Sequence, residues 1–168
     1  DIIKAMGVEI KTGVEVGKDI TIDELRKEGY KAFYIAIGCQ GGRKAGIPGE
    51  NAEGVLTAVD FLREVGAKES FDLEGDVVVI GGGNVAVDAA RCSGRVGEYK
   101  VSMFCLEDKE HMPASLEEIE EAEEENVSIN CGWGPKEILS ENGKVTGVVF
   151  KKCVSVTDAE GKFAPVYD

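Results

Sequence analysis

Basic residues are scarce in this 168-residue sequence, which has 19 lysines and arginines against 32 aspartates and glutamates. The formal net charge of -13 predicts repulsion from nucleic acid and from anionic membrane surfaces. Long apolar runs are also missing, because no stretch approaches the roughly 20 residues that cross a bilayer, and no signal-peptide pattern opens the chain. We therefore expect a cytoplasmic protein whose partners include neither nucleic acid nor a membrane.

The sequence also lacks paired cysteines. Its five cysteines are widely spaced, with no C-x-x-C pair, at positions Cys39, Cys92, Cys105, Cys131 and Cys153. This spacing indicates neither a disulfide framework nor a zinc or iron–sulfur site, so we expect reduced thiols and no metal. Four of the thiols lie in or beside apolar stretches, where cysteine behaves as a small hydrophobic residue. Cys39 follows a predicted strand end, and its role stays open.

An initial methionine is absent, since the chain begins at Asp1. The length suits one domain, or one domain plus a piece of another. We expect a piece of a longer protein.

The segment 77–91, VVVIGGGNVAVDAAR, combines four β-branched residues, three glycines and a helix-forming run. The pattern predicts a parallel strand buried on both faces, a glycine turn and a helix from Asn84. The spacing of Gly81, Gly83 and Ala86 fits G-x-G-x-x-A, in which backbone N–H groups at a helix start bind a diphosphate. The candidate cofactor-binding residues are Gly81, Gly82, Gly83, Asn84 and Val85. A glycine turn that binds no ligand remains the alternative.

A second predicted strand, residues 100–106, ends in Glu107 and Asp108. A carboxylate at this position can accept hydrogen bonds from both ribose hydroxyls of NAD(H) and repels a 2′-phosphate. We therefore add Glu107 and Asp108 to the candidate cofactor-binding residues. An acidic residue in a solvated loop is the alternative.

The remaining patterns complete an α/β class prediction. Residues 7–17 and 31–37 read as strands, the second of them buried, and Thr21 with Glu24 predicts a capping box. Another helix is predicted from Ala58 to about Gly66. Ser115 and Glu118 predict a second box, for a helix with a buried stripe of Leu116, Ile119 and Ala122, before a third parallel strand at 127–130. Asn142-Gly143 and a turn at 158–161 then predict an antiparallel β-meander, attached to a Rossmann-like βαβαβ sheet.

The chain resembles the small (β) subunit of glutamate synthase and related NAD(P)-dependent flavin oxidoreductases, including the flavin section of dihydropyrimidine dehydrogenase. The resemblance covers nearly the whole length. It rests on GVEIKTGVEVGKDITIDEL, YIAIGCQGGRKAGIPGE, VVVIGGGNVAVDAAR, MPAS, GPKEIL and GKFAPVYD.

The resemblance implies a flavoprotein with two dinucleotide-binding domains, one inserted into the other. Residues 1–48 would be the C-terminal part of the FAD-binding domain, and residues 49–168 the NAD(P)-binding domain. Gly38 would lie in the A-T-G-like stretch where the chain crosses between them, and it would be a further cofactor-binding residue. The rest of the FAD site would precede Asp1 and follow Asp168, so the isolated chain is expected to be inactive. Its implied partners are those FAD-domain segments, and an iron–sulfur domain or the glutamate synthase large subunit.

The resemblance also bears on the choice of nucleotide. NADPH-using relatives carry two arginines where this sequence has Leu106 and Glu107, so NADH is expected rather than NADPH. Lys109 or Arg91 would be the alternative source of a phosphate-binding cation. We nominate no catalytic side chain, because the cofactors carry hydride transfer.

Two other functions are alternatives to this interpretation. An NAD-binding regulatory module without catalysis stays open. A methyltransferase would place its glycine loop near the start of the domain and continue into a seven-stranded sheet, so the hairpins after Lys136 disfavour it.

Overall fold

A computed structural model of the chain describes residues 2–68, 71–73 and 75–168. The chain divides into two compact units, Asp1–Cys39 and Gln40–Asp168. Among the described residues, no helix is both long enough and apolar enough to cross a membrane.

The first unit contains two short helices, α1 (Ile2–Ala5) and α2 (Ile22–Lys27). The capping box predicted at the start of α2 is confirmed. The Thr21 hydroxyl accepts the Glu24 N–H at 3.2 Å, and the Glu24 carboxylate accepts the Thr21 N–H at 2.8 Å. Each bond satisfies an N–H that the helix itself leaves unpaired.

The two strands predicted in the first unit are wrong. In residues 7–17 the β-pairing is limited to an isolated bridge from Val16 to Ile20. Residues 31–37 form no strand, and Tyr34 is 95% exposed rather than buried. A strand persists only where a neighbour accepts and donates its backbone hydrogen bonds. No described segment pairs with 31–37.

The second unit confirms the predicted βαβαβ order. Its elements are α3 (Ala58–Lys68), β1 (Val77–Ile80), α4 (Asn84–Arg95), β2 (Val101–Phe104), α5 (Leu116–Glu124) and β3 (Ser128–Asn130). The three strands pair in parallel in the order β1-β2-β3. Parallel pairing brings the carboxyl ends of all three strands to one edge, which is where ligands bind in such sheets.

The hydrophobic core lies between this sheet and the helices α4 and α5. Met103 of β2 and Val87 of α4 are its largest fully buried side chains. The prediction that β1 is buried on both faces is wrong, because Val78 is 42% and Ile80 37% exposed, whereas Val77 and Val79 pack against the core. Only one face of β1 is covered by helices within the described chain.

The acidic helix α5 confirms two of its three predicted core residues. Ile119 and Ala122 are buried, but Leu116 is 71% exposed, so its assignment to the stripe was wrong. Leu116 is the first residue of the helix. The Ser115 hydroxyl accepts the Glu118 N–H at 3.4 Å as predicted, whereas the Glu118 carboxylate bonds Arg91 of α4 instead of completing the box.

The antiparallel meander comprises β4 (Trp133–Glu141), β5 (Lys144–Thr157) and β6 (Phe163–Tyr167). The predicted hairpin turn is confirmed, because Asn142 and Gly143 both have positive φ, 53° and 83°, as a two-residue type I′ turn requires. The second predicted turn is closed by hydrogen bonds between Asp158 and both Gly161 and Lys162.

Met103→Ala should lower the free energy of unfolding by about 2–5 kcal/mol, because a fully buried side chain leaves a cavity that the core cannot refill. Urea unfolding followed by circular dichroism measures the change. Met103→Leu, which nearly conserves volume, is the matched control and should cost less than about 1.5 kcal/mol. Equal losses in the two variants would contradict the packing described for β2.

Candidate functional site

The glycine turn joins the carboxyl end of β1 to the start of α4. Gly81 has φ +140°, a conformation that side chains disfavour, and its N–H donates to the Phe104 carbonyl at 2.9 Å. A Cβ on Gly81 would lie 3.2 Å from the Ala86 Cβ. This contact explains the small residue three places after Gly83 in the motif, since helix and strand approach closely here.

Four consecutive backbone N–H groups of this turn, those of Gly82, Gly83, Asn84 and Val85, donate to no described protein atom. The next amides, of Ala86 and Val87, both donate to the Gly83 carbonyl, so the helix ladder begins there. Unpaired N–H groups at a helix start carry partial positive charge and attract anions. The turn can therefore hold a phosphate group through backbone atoms alone.

The two central glycines of the turn differ in their surroundings. A Cβ on Gly82 would lie 3.0 Å from the Cys105 Cβ and 3.1 Å from a carboxylate oxygen of Glu107. A Cβ on Gly83 would meet no atom within 4 Å. Gly82 therefore serves packing, whereas Gly83 borders open space.

Glu107 follows β2 and places its carboxylate over the glycine turn. Its Oε2 is the atom that a Cβ on Gly82 would meet, and its backbone carbonyl accepts the Gly132 N–H at 2.9 Å. The Glu107 carboxylate thus lies close to the unpaired amides, but within the described chain it accepts no hydrogen bond from them. Glu107 reaches the turn because β2 lies beside β1 in parallel pairing.

A cavity of about 460 Å³ lies between the glycine turn and the meander. Its lining includes Gly81, Gly82, Glu107, Trp133, Phe163 and Tyr167. An adjoining cavity of about 660 Å³ shares Leu106, Glu107 and Phe163 with it. Small-molecule sites have volumes in this range, and Glu107 lies where the two cavities meet.

The other predicted site residues have different surroundings. The Asn84 side-chain oxygen accepts the Ser115 N–H at 2.9 Å, which links the starts of α4 and α5. Asp108 caps a 3-10 helix, Lys109–His111, by accepting the His111 N–H at 3.0 Å. Val85 is half exposed. Gly38 belongs to the first unit and has φ +66°.

The two cations considered for a 2′-phosphate are both engaged in ion pairs. Arg91 contacts Glu118 at 2.8 Å, Glu121 at 2.5 Å and Glu125 at 2.9 Å, all on or beside α5. Lys109 contacts Glu123 at 2.6 Å. Glutamates on or beside α5 thus neutralise both positive charges within the protein.

His111 and Asp108 form an exposed ion pair, with His111 Nδ1 2.7 Å from Asp108 Oδ1. The hydrogen bond and the charge of Asp108 raise the pKa of His111, and the same bond lowers the pKa of Asp108. The pair therefore stabilises the fold between the two pKa values. This contribution is lost as pH rises through the pKa of folded His111 or falls through that of folded Asp108.

An NMR titration should show this shift directly, because His111 is the only histidine. We expect its pKa above the ordinary value of about 6.5, and a lower value in Asp108→Asn. Asp158→Asn, in the turn of the meander, is the matched control and should leave the titration unchanged. An identical curve in Asp108→Asn would contradict the pairing.

The sequence did not reveal the wall of the cavity that the meander supplies. Tyr167 and Lys151 line it, with the Lys151 ammonium 3.5 Å from the centre of the Tyr167 ring. The alternation of apolar and polar residues along β5 and β6 was the available signal. It does not indicate which face of the meander meets the glycine turn. Trp133 also lines this cavity.

Comparison with known proteins identifies the family. The family model described as pyridine nucleotide-disulphide oxidoreductase matches residues 1–164. The chain belongs to this family. The family comprises NAD(P)H-dependent flavin oxidoreductases that bind FAD and NAD(P).

The curated relatives of this chain include the enzymes that its sequence was expected to resemble. The glutamate synthase [NADPH] small chain of Escherichia coli (strain K12) is 35% identical over 175 residues, covering 96% of this chain and 37% of the relative. The NADP(+)-dependent formate dehydrogenase subunit beta of Moorella thermoacetica is 36% identical over 171 residues, covering 98% and 24%. The NAD-dependent dihydropyrimidine dehydrogenase subunit PreT of Escherichia coli O157:H7 is 35% identical over 145 residues, covering 86% and 34%. The predicted resemblance is confirmed, and the chain spans 24% to 37% of the length of these relatives.

Solved structures support the fold. Thioredoxin reductase of T. acidophilum superimposes with a TM-score of 0.52 at 20% identity, covering 76% of this chain and 38% of that one. The predicted α/β class, a Rossmann-like parallel sheet with an antiparallel meander, is confirmed.

Proposed function

We propose that this chain is the pyridine-nucleotide-binding part of a flavin-dependent oxidoreductase of the glutamate synthase small-subunit type, and that it binds NAD(H). The observation that carries the proposal is the run of four unpaired amides from Gly82 to Val85, beside a cavity that Glu107 lines. Backbone donors for a diphosphate and a carboxylate for a ribose are the two parts that dinucleotide recognition needs.

The diphosphate would bind against the glycine turn. Gly83 leaves the approach to these N–H groups open, since a Cβ there would contact nothing within 4 Å. The Asn84 side chain is held by Ser115, so its backbone N–H, not its amide group, would serve the phosphate. The same holds for Val85, whose contribution would come from its backbone.

The adenosine ribose would bind at Glu107, and this favours NADH over NADPH. A carboxylate accepts hydrogen bonds from two ribose hydroxyls but repels a 2′-phosphate. Arg91 and Lys109 are paired with glutamates. The names of the relatives include both NADP and NAD, so the local side chains are the basis of this preference.

Asp108 would have a supporting role in this site. Its carboxylate holds His111 and the short helix that follows Glu107, and it would position the Glu107 loop rather than contact the ribose.

Residues 1–48 would belong to the FAD-binding domain and residues 49–168 to the NAD(P)-binding domain. Gly38, with its positive φ, would lie where the chain crosses from the FAD-binding domain to the NAD(P)-binding domain. With both cofactors bound, hydride would pass between nicotinamide and flavin, and the protein would supply position and electrostatics. The chain's own residues would bind the nucleotide and exclude water; none is assigned a catalytic step.

The complete protein would supply the remaining FAD-domain segments, and the electron partner would be an iron–sulfur domain or a glutamate synthase large subunit. Relatives are named as a subunit beta and as a small chain. This supports a role within a larger assembly.

Titration of the chain with NADH and NADPH tests the nucleotide site. Trp133 is the single tryptophan and lines the cavity, so energy transfer from its indole to the reduced nicotinamide should report binding, with calorimetry as the independent measurement. We expect saturable binding of NADH and weaker binding of NADPH. Equal or tighter binding of NADPH would contradict the role of Glu107, and binding of neither would contradict the proposed site.

A further inference from the structure

Two thiols meet directly beneath the glycine turn. Cys105 and Cys131 follow the last paired residues of β2 and β3, Phe104 and Asn130, and their sulfur atoms are 3.7 Å apart. All five cysteines are free thiols. We propose that Cys105 and Cys131 are an oxidation site, at which a hydroperoxide converts the two thiols to a disulfide.

The backbone geometry is compatible with this bond. Neighbouring strands lie about 4.7–4.9 Å apart, within the range of Cα separations of about 4.4–6.8 Å that disulfides span. Cys105 N–H donates to the Asn130 carbonyl at 3.1 Å, and Trp133 N–H donates to the Cys105 carbonyl at 2.8 Å. These bonds keep the two cysteines side by side, so only the sulfur atoms must approach.

The surroundings of the two thiols differ, which sets the order of events. Cys105 is 2% exposed, whereas Cys131 is half-buried and is therefore the more accessible of the two residues. Burial, together with the neighbouring Cys131 sulfur, raises the pKa of Cys105 to about 12. Cys105 is therefore a thiol at neutral pH, and Cys131 supplies the attacking sulfur.

The reaction balances with hydrogen peroxide as the oxidant. The Cys131 sulfur loses its proton and attacks one peroxide oxygen, the O–O bond breaks, and a sulfenic acid forms while the departing hydroxide takes up that proton as water. The Cys105 sulfur then attacks the Cys131 sulfur, loses its proton and displaces the second hydroxide as water. Two thiols lose two electrons and two protons, and the peroxide becomes two waters.

The disulfide would alter the mouth of the cavity. The Cys105 Cβ lies 3.0 Å from the position of a Cβ on Gly82, and the Glu107 carbonyl is 3.6 Å from the Cys105 sulfur. Drawing the sulfur atoms together would therefore act on the turn and on the segment that carries Glu107. Trp133, two residues after Cys131, would report this change through its fluorescence.

A peptide map of the peroxide-treated chain tests the proposal without any nucleotide, so the result is independent of the proposed function. Trypsin cleaves after Lys100, Lys109 and Lys136, which places the two cysteines in separate peptides, 101–109 and 110–136. We expect these peptides linked and lighter by two hydrogen atoms, with loss of two of the five thiols. Dithiothreitol should restore both thiols and the Trp133 emission.

Cys131→Ser is the decisive variant, and Cys153→Ser is its matched control, since the Cys153 thiol donates to the Ser155 carbonyl of its own strand. Cys131→Ser should abolish the linked peptide and the fluorescence change, and Cys153→Ser should keep both. If Cys131→Ser fails to fold, the wild-type map alone decides. The proposal is overturned if Cys105 and Cys131 remain thiols, if either is oxidised without a link, or if the oxygen is taken up by Met112, whose sulfur is 3.9 Å from that of Cys131.

Discussion

Gly83→Val should weaken NADH binding by about 100-fold, or about 2.8 kcal/mol, while the chain stays folded. Gly83 is the N-cap of α4 and has φ -93° and ψ 171°, a conformation that valine adopts without strain. A Cβ at this position meets no atom within 4 Å. The new side chain would therefore extend into the space in front of the unpaired amides, where the diphosphate is proposed to bind.

The effect on stability should be small by comparison. Glycine is a better N-cap than valine, and losing a favourable N-cap typically costs about 1 kcal/mol, so we expect a loss of that size. Gly82→Val would be less informative. Its side chain would collide with the Cys105 Cβ, only 3.0 Å from the position of the first added carbon, and would disturb the fold together with any binding.

Calorimetric titration with NADH and thermal unfolding, on the same preparations, separate the two effects. Gly66→Val is the matched control, because Gly66 lies in α3 and a Cβ there also meets nothing within 4 Å. It should bind NADH as the wild type does. If Gly83→Val retains wild-type affinity, the diphosphate does not bind at this turn.

Features set by neighbours in sequence were predicted well. The Thr21 and Glu24 box and the Asn142-Gly143 hairpin depend on residues at most three positions apart, and each satisfies its own backbone requirement. The glycine turn is equally local, so both its position and the start of α4 followed from the sequence. The position of Glu107 depends on one non-local feature as well, because β2 must lie beside β1 to bring Glu107 to the turn.

Features set by distant residues were not predictable in this way. Residues 31–37 are apolar enough for a buried strand, but strand formation depends on a partner that local composition cannot specify. The sequence offers Arg91 as a cation for a phosphate, but in the fold it bonds Glu118 and Glu125, 27 and 34 positions away. The adjacency of Cys105 and Cys131 likewise results from the register of β2 and β3, and no spacing motif signals it.

Leu106→Arg/Glu107→Arg should reverse the nucleotide preference proposed for the site. The wild-type carboxylate of Glu107 lines both cavities beside the turn, and Leu106 lines them as well. Two guanidinium groups would replace an apolar side chain and a repelling charge with donors suited to a phosphate. We expect the ratio of NADPH to NADH affinity to rise by at least about 100-fold, because charge-assisted hydrogen bonds contribute about 1.5–3 kcal/mol each.

The single substitution Glu107→Gln isolates the contribution of the carboxylate. It keeps the size of the side chain but removes the charge, so NADH affinity should fall about 10-fold, since one charge-assisted hydrogen bond becomes neutral. NADPH affinity should not fall, because repulsion of the 2′-phosphate is relieved. Glu110→Gln, an exposed acidic residue of the short helix after Glu107, is the matched control and should change neither affinity. Unchanged NADH binding in Glu107→Gln would place the ribose elsewhere, and the preference for NADH would lose its structural basis.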